Sequence, residues 1–131
     1  MQKVLLEWLE GLRFEGRAGE ASTTIDGNGQ EGTTPVDLLL ESIGACAAAD
    51  VVDILQKGRQ DIHGLTVEVG AERRAEPPRY VRSLELAFRI RGPVDKAKAE
   101  RAVDLSLEKY CSVFHSLRMD IALDVNVELV P

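Results

Sequence analysis

Residues 33–55, TTPVDLLLESIGACAAADVVDIL, decide how the rest of the chain is read. They open as a helix does. Thr34 can cap the first turn, Pro35 takes the first helical position, where a missing N–H costs nothing, and Asp37 stands three residues after the cap, as in a capping box. The helix is predicted to run from Thr34 to near Gly58, a length of about 34 Å at 1.5 Å per residue. It is apolar nearly all round until Asp50, whereas a helix lying on a sheet carries one polar face. Gly44, Ala45, Ala47, Ala48 and Ala49 leave its middle thin enough for another backbone to approach, and one cysteine, Cys46, sits among them. Two covers are open: the same helix of a second copy, closed two-fold dimers being the commonest oligomers, or the second helix of this chain.

Outward from this helix the pattern changes period. Leu65, Val67, Val69 and Ala71 alternate with polar residues or glycine, as do Leu84, Leu86, Phe88 and Ile90 with Ser83, Glu85, Ala87 and Arg89. Such alternation marks half-buried strands, and AEPPR between the two runs reads as a proline-bearing hairpin tip. Ile121, Leu123, Val125, Val127 and Leu129 form a third long run. Before the helix, VLLEWLEG, LRFEGR and STTI read as extended segments closed by the turn signal DGNG. A second helix is predicted from Pro93-Val94-Asp95 to about Tyr110, with Ala99, Val103, Leu107 and Tyr110 on one stripe, then a short helical turn in SVFHSLR. Strands, long helix, hairpin, helix, strand make an α+β architecture with antiparallel sheet and two main helices. No linker or repeat divides it, so residues 1–131 are read as one domain.

Composition narrows the class. Hydrophobic residues at 44% and charged residues at 29% suit a globular protein, and a net charge of -6 with pI near 4.9 argues against nucleic acid, which is bound largely through Lys and Arg on phosphates. No apolar run approaches the ~18 residues of a membrane span. MQKVLLEWLEGL carries acids inside its apolar stretch and no small-residue cleavage site, so the expected location is the cytoplasm. The arginines from Arg73 to Arg91 are read as a solvated sheet face, one of which could serve a nearby anion. Two cysteines are too few for a disulfide framework.

Taken alone, Cys46 is a small apolar side chain among alanines. Cys111, in EKYCSVFHSL, weakens that reading because it stands at a helix end, where access is easier, and two thiols in such settings suggest a redox pair. A disulfide needs Cα atoms roughly 4.4 to 6.8 Å apart, and spacing alone does not establish that. A thiol peroxidase needs a thiolate, a cation to stabilise it, and a second thiol to capture the sulfenic acid. The cation candidates are Arg13, Arg17, Arg59 and the Arg73–Arg91 cluster. Three rivals use the same residues: a zinc site from Cys46, His63, Cys111 and His115, without CxxC or HExxH spacing; a cysteine hydrolase using one of the histidines; and an apolar pocket near Tyr110 and Phe114.

PVDLLLESIGAC, DVVDIL and EKYCSV resemble the OsmC/Ohr family of thiol-dependent peroxidases, over essentially the whole chain. GACAAADVVDILQKGRQD and RAVDLSLEKYCSV are closer to its less characterised YhfA-like branch. The resemblance implies an OsmC-like fold and an intertwined homodimer with the central helices packed together. It also implies reduction of small organic hydroperoxides, with Cys46 as peroxidatic thiol, Cys111 as resolving thiol, and a dithiol or lipoyl-type reductant. Neither a metal nor an organic cofactor is implied. The family places a glutamate after the proline, paired with an arginine from the N-terminal strands. Here that position is Val36, with Asp37, one residue along, and Glu41 the nearest acids, and Arg17 and Arg13 are the candidate arginines.

Overall fold

The computed structural model describes residues 1–131, which divide into two compact units, Met1–Leu39 and Leu40–Pro131.

The first unit is an antiparallel meander of β1 (Leu5–Glu10), β2 (Arg13–Ala18) and β3 (Ala21–Asp26), in that order. Tight reversals need positive φ, which glycine adopts without a Cβ penalty, and Gly11 at φ 56° and Gly19 at φ 62° supply it at the two turns. The turn after β3 is organised by Asp26, whose buried carboxylate accepts the backbone N–H groups of Asn28, Gln30 and Glu31. These bonds, led by that from Glu31, lower the pKa of Asp26. Thr34 Oγ1 then accepts the N–H of Asp37 at 3.1 Å, the cap expected for the long helix.

That helix is α1 (Pro35–Lys57), within a residue of its predicted ends. Gly58 and Arg59 close it, Arg59 in the left-handed conformation at φ 61° with Gln60 N–H returning to Leu55 O.

In the second unit, Ile43, Ala47, Val51 and Leu55 recur every fourth residue on α1 and are buried. Gly44 adjoins them and faces β4 (Gly64–Arg73): a Cβ there would lie 2.9 Å from both Val67 and Val69 methyl carbons. Its close approach is therefore to the chain's own sheet. The opposite face of α1, with Glu41, Ala45 and Ala49, is exposed. β4 pairs antiparallel with β5 (Val81–Arg91), whose Leu84, Leu86, Phe88 and Ile90 fill the core as the alternation implied. The Pro77–Pro78 peptide at the hairpin tip is cis.

The chain next forms α2 (Lys96–Leu105), capped by Asp95 on the Lys98 N–H at 3.1 Å, and returns as β6 (Ala122–Val130) beside β5. β5 and β6 run parallel, so this sheet is mixed and not antiparallel throughout. A parallel neighbour needs a crossover, and the helical segment between the two strands is that crossover.

The second helix also departs from the expected stripe. After Leu105 it widens into a π turn, Ser106–Tyr110, closed by Cys111 N–H to Ser106 O at 2.7 Å. The extra residue moves the buried face one position along the chain: Ala99, Val103, Ser106 and Leu107 are buried, but the next buried residue is Cys111, while Tyr110 is exposed. A 3-10 turn, Phe114–Ser116, occupies the SVFHSLR segment.

Of the arginine cluster, Arg73, Arg79, Arg82, Arg89 and Arg91 are exposed, as a solvated sheet face requires. Arg89 pairs with Glu128 and Arg73 donates to Arg79 O. No helix is long and apolar enough to cross a membrane.

Candidate active site around two thiols

Two elements of the second unit bring the cysteines together. α1 presents Cys46, half-buried, from its small-residue middle, and the π turn delivers Cys111, fully buried, at its end. Both are free thiols, and Cys46 is near enough to Cys111 to raise its pKa. Burial is the main cause that pushes the Cys111 thiol up to about 11. The Phe114 N–H, 3.4 Å from its sulfur, opposes the shift, while Cys46 and the Asp50 charge add to it. At neutral pH Cys111 is therefore a protonated thiol beside Cys46.

A polar pair backs the thiols. Ser106, wholly buried on the π turn, donates its hydroxyl to Asp50 Oδ2 at 2.8 Å, with Ala47 O at 3.4 Å as a weaker acceptor. Asp50 lies one helical turn after Cys46, so both point from the same side of α1. In the sequence Asp50 marks only the end of the apolar stretch of the helix, and neither Ser106 nor the Phe114 amide stands out. The available signal was a serine on the apolar stripe of α2, between Val103 and Leu107, where a buried hydroxyl needs a partner on a neighbouring element.

Arg17 and Asp37 belong to the first unit. The Arg17 guanidinium on β2 is paired with Glu15 at 3.3 Å and Glu7 at 4.0 Å. Asp37 is exposed in the first turn of α1. Arg13 is bound by Glu10 at 3.1 Å and by Glu31.

The histidines of the rival readings are engaged elsewhere. His63 meets Asp61 at 3.0 Å, and His115 is exposed with its ring edge-on to Phe114 at 5.8 Å.

The chain is similar to known proteins over most of its length. The model of the family described as OsmC-like protein matches residues 27–126. A protein called YhfA from Escherichia coli K12 is 41% identical over 128 residues, covering 95% of this chain and 96% of the relative. The crystal structure of a hypothetical protein from Aquifex aeolicus superposes with a TM-score of 0.92 at 31% identity, covering 99% of this chain and 96% of that one. The organic hydroperoxide resistance protein OhrB of Bacillus subtilis shares the fold, with a TM-score of 0.64 at 20% identity over 99% of this chain and 98% of its own.

Proposed function

Because this chain belongs to the OsmC-like protein family, we propose that it is a thiol-dependent peroxidase that reduces organic hydroperoxides through Cys46 and Cys111. The single observation that carries the reading is the nearness of the two thiols, one half-buried and the other fully buried. The more accessible sulfur meets the peroxide, and the shielded one waits for its product. Kinship in fold to an organic hydroperoxide resistance protein supports the choice of oxidant.

In the first step the Cys46 thiolate attacks the distal peroxide oxygen. The O–O bond breaks, Cys46 becomes a sulfenic acid, and the organic fragment leaves as an alcohol after taking a proton. In the second step Cys111 attacks the Cys46 sulfur, an S–S bond replaces the S–O bond, and water departs. An external dithiol, a small molecule or a lipoyl group, then reduces the disulfide by exchange.

The resemblance names Arg17 as the cation and Asp37 as the acid beside it, in a cytoplasmic homodimer. The second copy is favoured by the exposed apolar side chains of β1, Leu5, Leu6, Trp8 and Leu9, and by the exposed Ala45 and Ala49 on α1. Exposed apolar side chains grouped on one element mark an association site.

A second reading rests on Val36 at the family's acidic position and on the capture of Arg17 by Glu15 and Glu7. In it the fold is kept while the thiols reduce another oxidant, or the interface binds a small apolar ligand.

Steady-state assays with tert-butyl hydroperoxide and a dithiol separate these readings. Wild-type protein should consume the peroxide, Cys46→Ser should not, and Cys111→Ser should drive Cys46 to sulfinic acid, visible by mass spectrometry. Equal turnover in wild type and Cys46→Ser rejects the peroxidase reading.

A further inference from the structure

Closing a disulfide requires the second thiol to lose its proton, and Cys111 is badly placed to do so. It is wholly buried, and burial holds its proton firmly. Solvent has no direct access to the S–H. Ser106 ties Asp50 to the Cys111 turn, its hydroxyl bonding Asp50 and its carbonyl accepting the Cys111 N–H, and the Asp50 charge is felt at this sulfur beside Cys46 and the Phe114 amide. Of these, Cys46 is the atom to be attacked and the amide is itself a donor. The Asp50 carboxylate remains. It is half-buried, hence in touch with solvent, and Ser106 occupies Oδ2 by a 2.8 Å hydrogen bond, leaving Oδ1 for a second partner. The π turn fastens this arrangement from the other side, since Ser106 O accepts the Cys111 N–H.

We propose that Asp50, oriented by Ser106, takes the Cys111 thiol proton and carries it out of the core as Cys111 closes on Cys46. The step deepens the peroxidase reading but does not depend on the identity of the oxidant. With a sulfenic acid on Cys46, the Cys111 electron pair makes the S–S bond as the S–O bond breaks. The departing hydroxide takes the proton from Asp50, leaving water and a restored carboxylate. With a mixed disulfide on Cys46, the leaving group departs as thiolate and Asp50 yields the proton to solvent. Ser106 is a positioning residue in both cases.

The electrostatics make the proposal sharp. As a bystander charge Asp50 disfavours the Cys111 thiolate, so its removal would speed closure. As the proton carrier its removal slows closure. Stopped-flow mixing of the reduced full-length protein with dithiobis-nitrobenzoate reads the step without any peroxide. One thionitrobenzoate is released when Cys46 reacts and a second when Cys111 displaces it.

Asp50→Asn, nearly the same shape, should leave the first release unslowed. It should slow the second on the order of 100-fold, the typical worth of a positioned general base. Raising the pH should restore the second rate in Asp50→Asn, a recovery that a purely structural defect would not show. Ser106→Ala should slow the second release less than Asp50→Asn does. A second release as fast as wild type or faster in Asp50→Asn overturns the proposal, as does a wild type with no second release. Loss of peroxide turnover with an Asp50-dependent second release would remove the peroxidase reading and leave this one standing.

Discussion

The two units use apolar residues in opposite ways. In the N-terminal meander every residue of β1 is exposed, Leu5 at 64% and Trp8 at 65%, so this strand has no interior of its own. In the second unit the alternating strand β5 puts Leu84, Leu86, Phe88 and Ile90 at or below 1% exposure. An apolar strand thus has two meanings. It describes a face that the chain itself covers, or one offered to something else. The pattern alone does not distinguish them, because the Leu and Trp of β1 are as hydrophobic as the Leu and Phe of β5.

The largest expected effect breaks the side of the comparison that stands alone. Phe88→Ala empties the centre of the second core and should cost about 3–5 kcal/mol in chemical denaturation, whatever the protein concentration. Leu5→Asp, on the exposed strand, should behave differently. It should weaken self-association in sedimentation experiments and make the denaturation midpoint independent of concentration, as expected when stability is tied to a partner. A midpoint that still rises with concentration in Leu5→Asp would place the second copy elsewhere.

A smaller effect probes the seam between helix and sheet. Gly44 looked in sequence like part of a surface for a second helix, yet it faces Val67 and Val69. Its immediate neighbour Ala45 is exposed. Gly44→Ala inserts a Cβ 2.9 Å from two valine methyls, a clash worth about 1–3 kcal/mol. The helix propensity of alanine returns up to about 1 kcal/mol of that. A net loss in thermal denaturation is expected, whereas Ala45→Ser should move the monomer's stability by less than about 0.5 kcal/mol. A stabilised Gly44→Ala would mean that the valines give way.

The same contrast separates the legible parts of the sequence from the rest. The ends of α1 were legible because Thr34, Pro35 and Gly58 act locally, through a cap, a fixed φ and a helix stop. The faces of β4 and β5 were legible because alternation is a property of the strand itself. The direction of β6 was not, since period two reports a face and is blind to parallel or antiparallel pairing. Tyr110 was misplaced because a 3.6-residue stripe was extended through Ser106–Tyr110, where the backbone takes an extra residue. That one-residue shift also put Cys111 in the core beside Cys46. Both thiols stood out in the sequence by their settings. Ser106 and Asp50 were not joined, because a hydrogen bond across 56 residues leaves no trace in local spacing.

The last expected effect is read from pH. Burial holds the folded-state pKa of Cys111 at about 11 against an unfolded value near 9.0. The folded protein therefore keeps this proton where the unfolded chain has lost it, and stability falls as pH rises. The contribution is fully present below pH 9 and lost by about pH 11. Two pH units set a ceiling of roughly 3 kcal/mol, which screening by solvent lowers. Lysines and tyrosines titrate in the same range, so the measurement is a difference. The denaturation free energy of wild type minus that of Cys111→Ala, followed from pH 8 upward, should decline through this window. A flat difference would mean that Cys111 reaches solvent in the native state, and the contrast between a shielded and an accessible thiol would go with it.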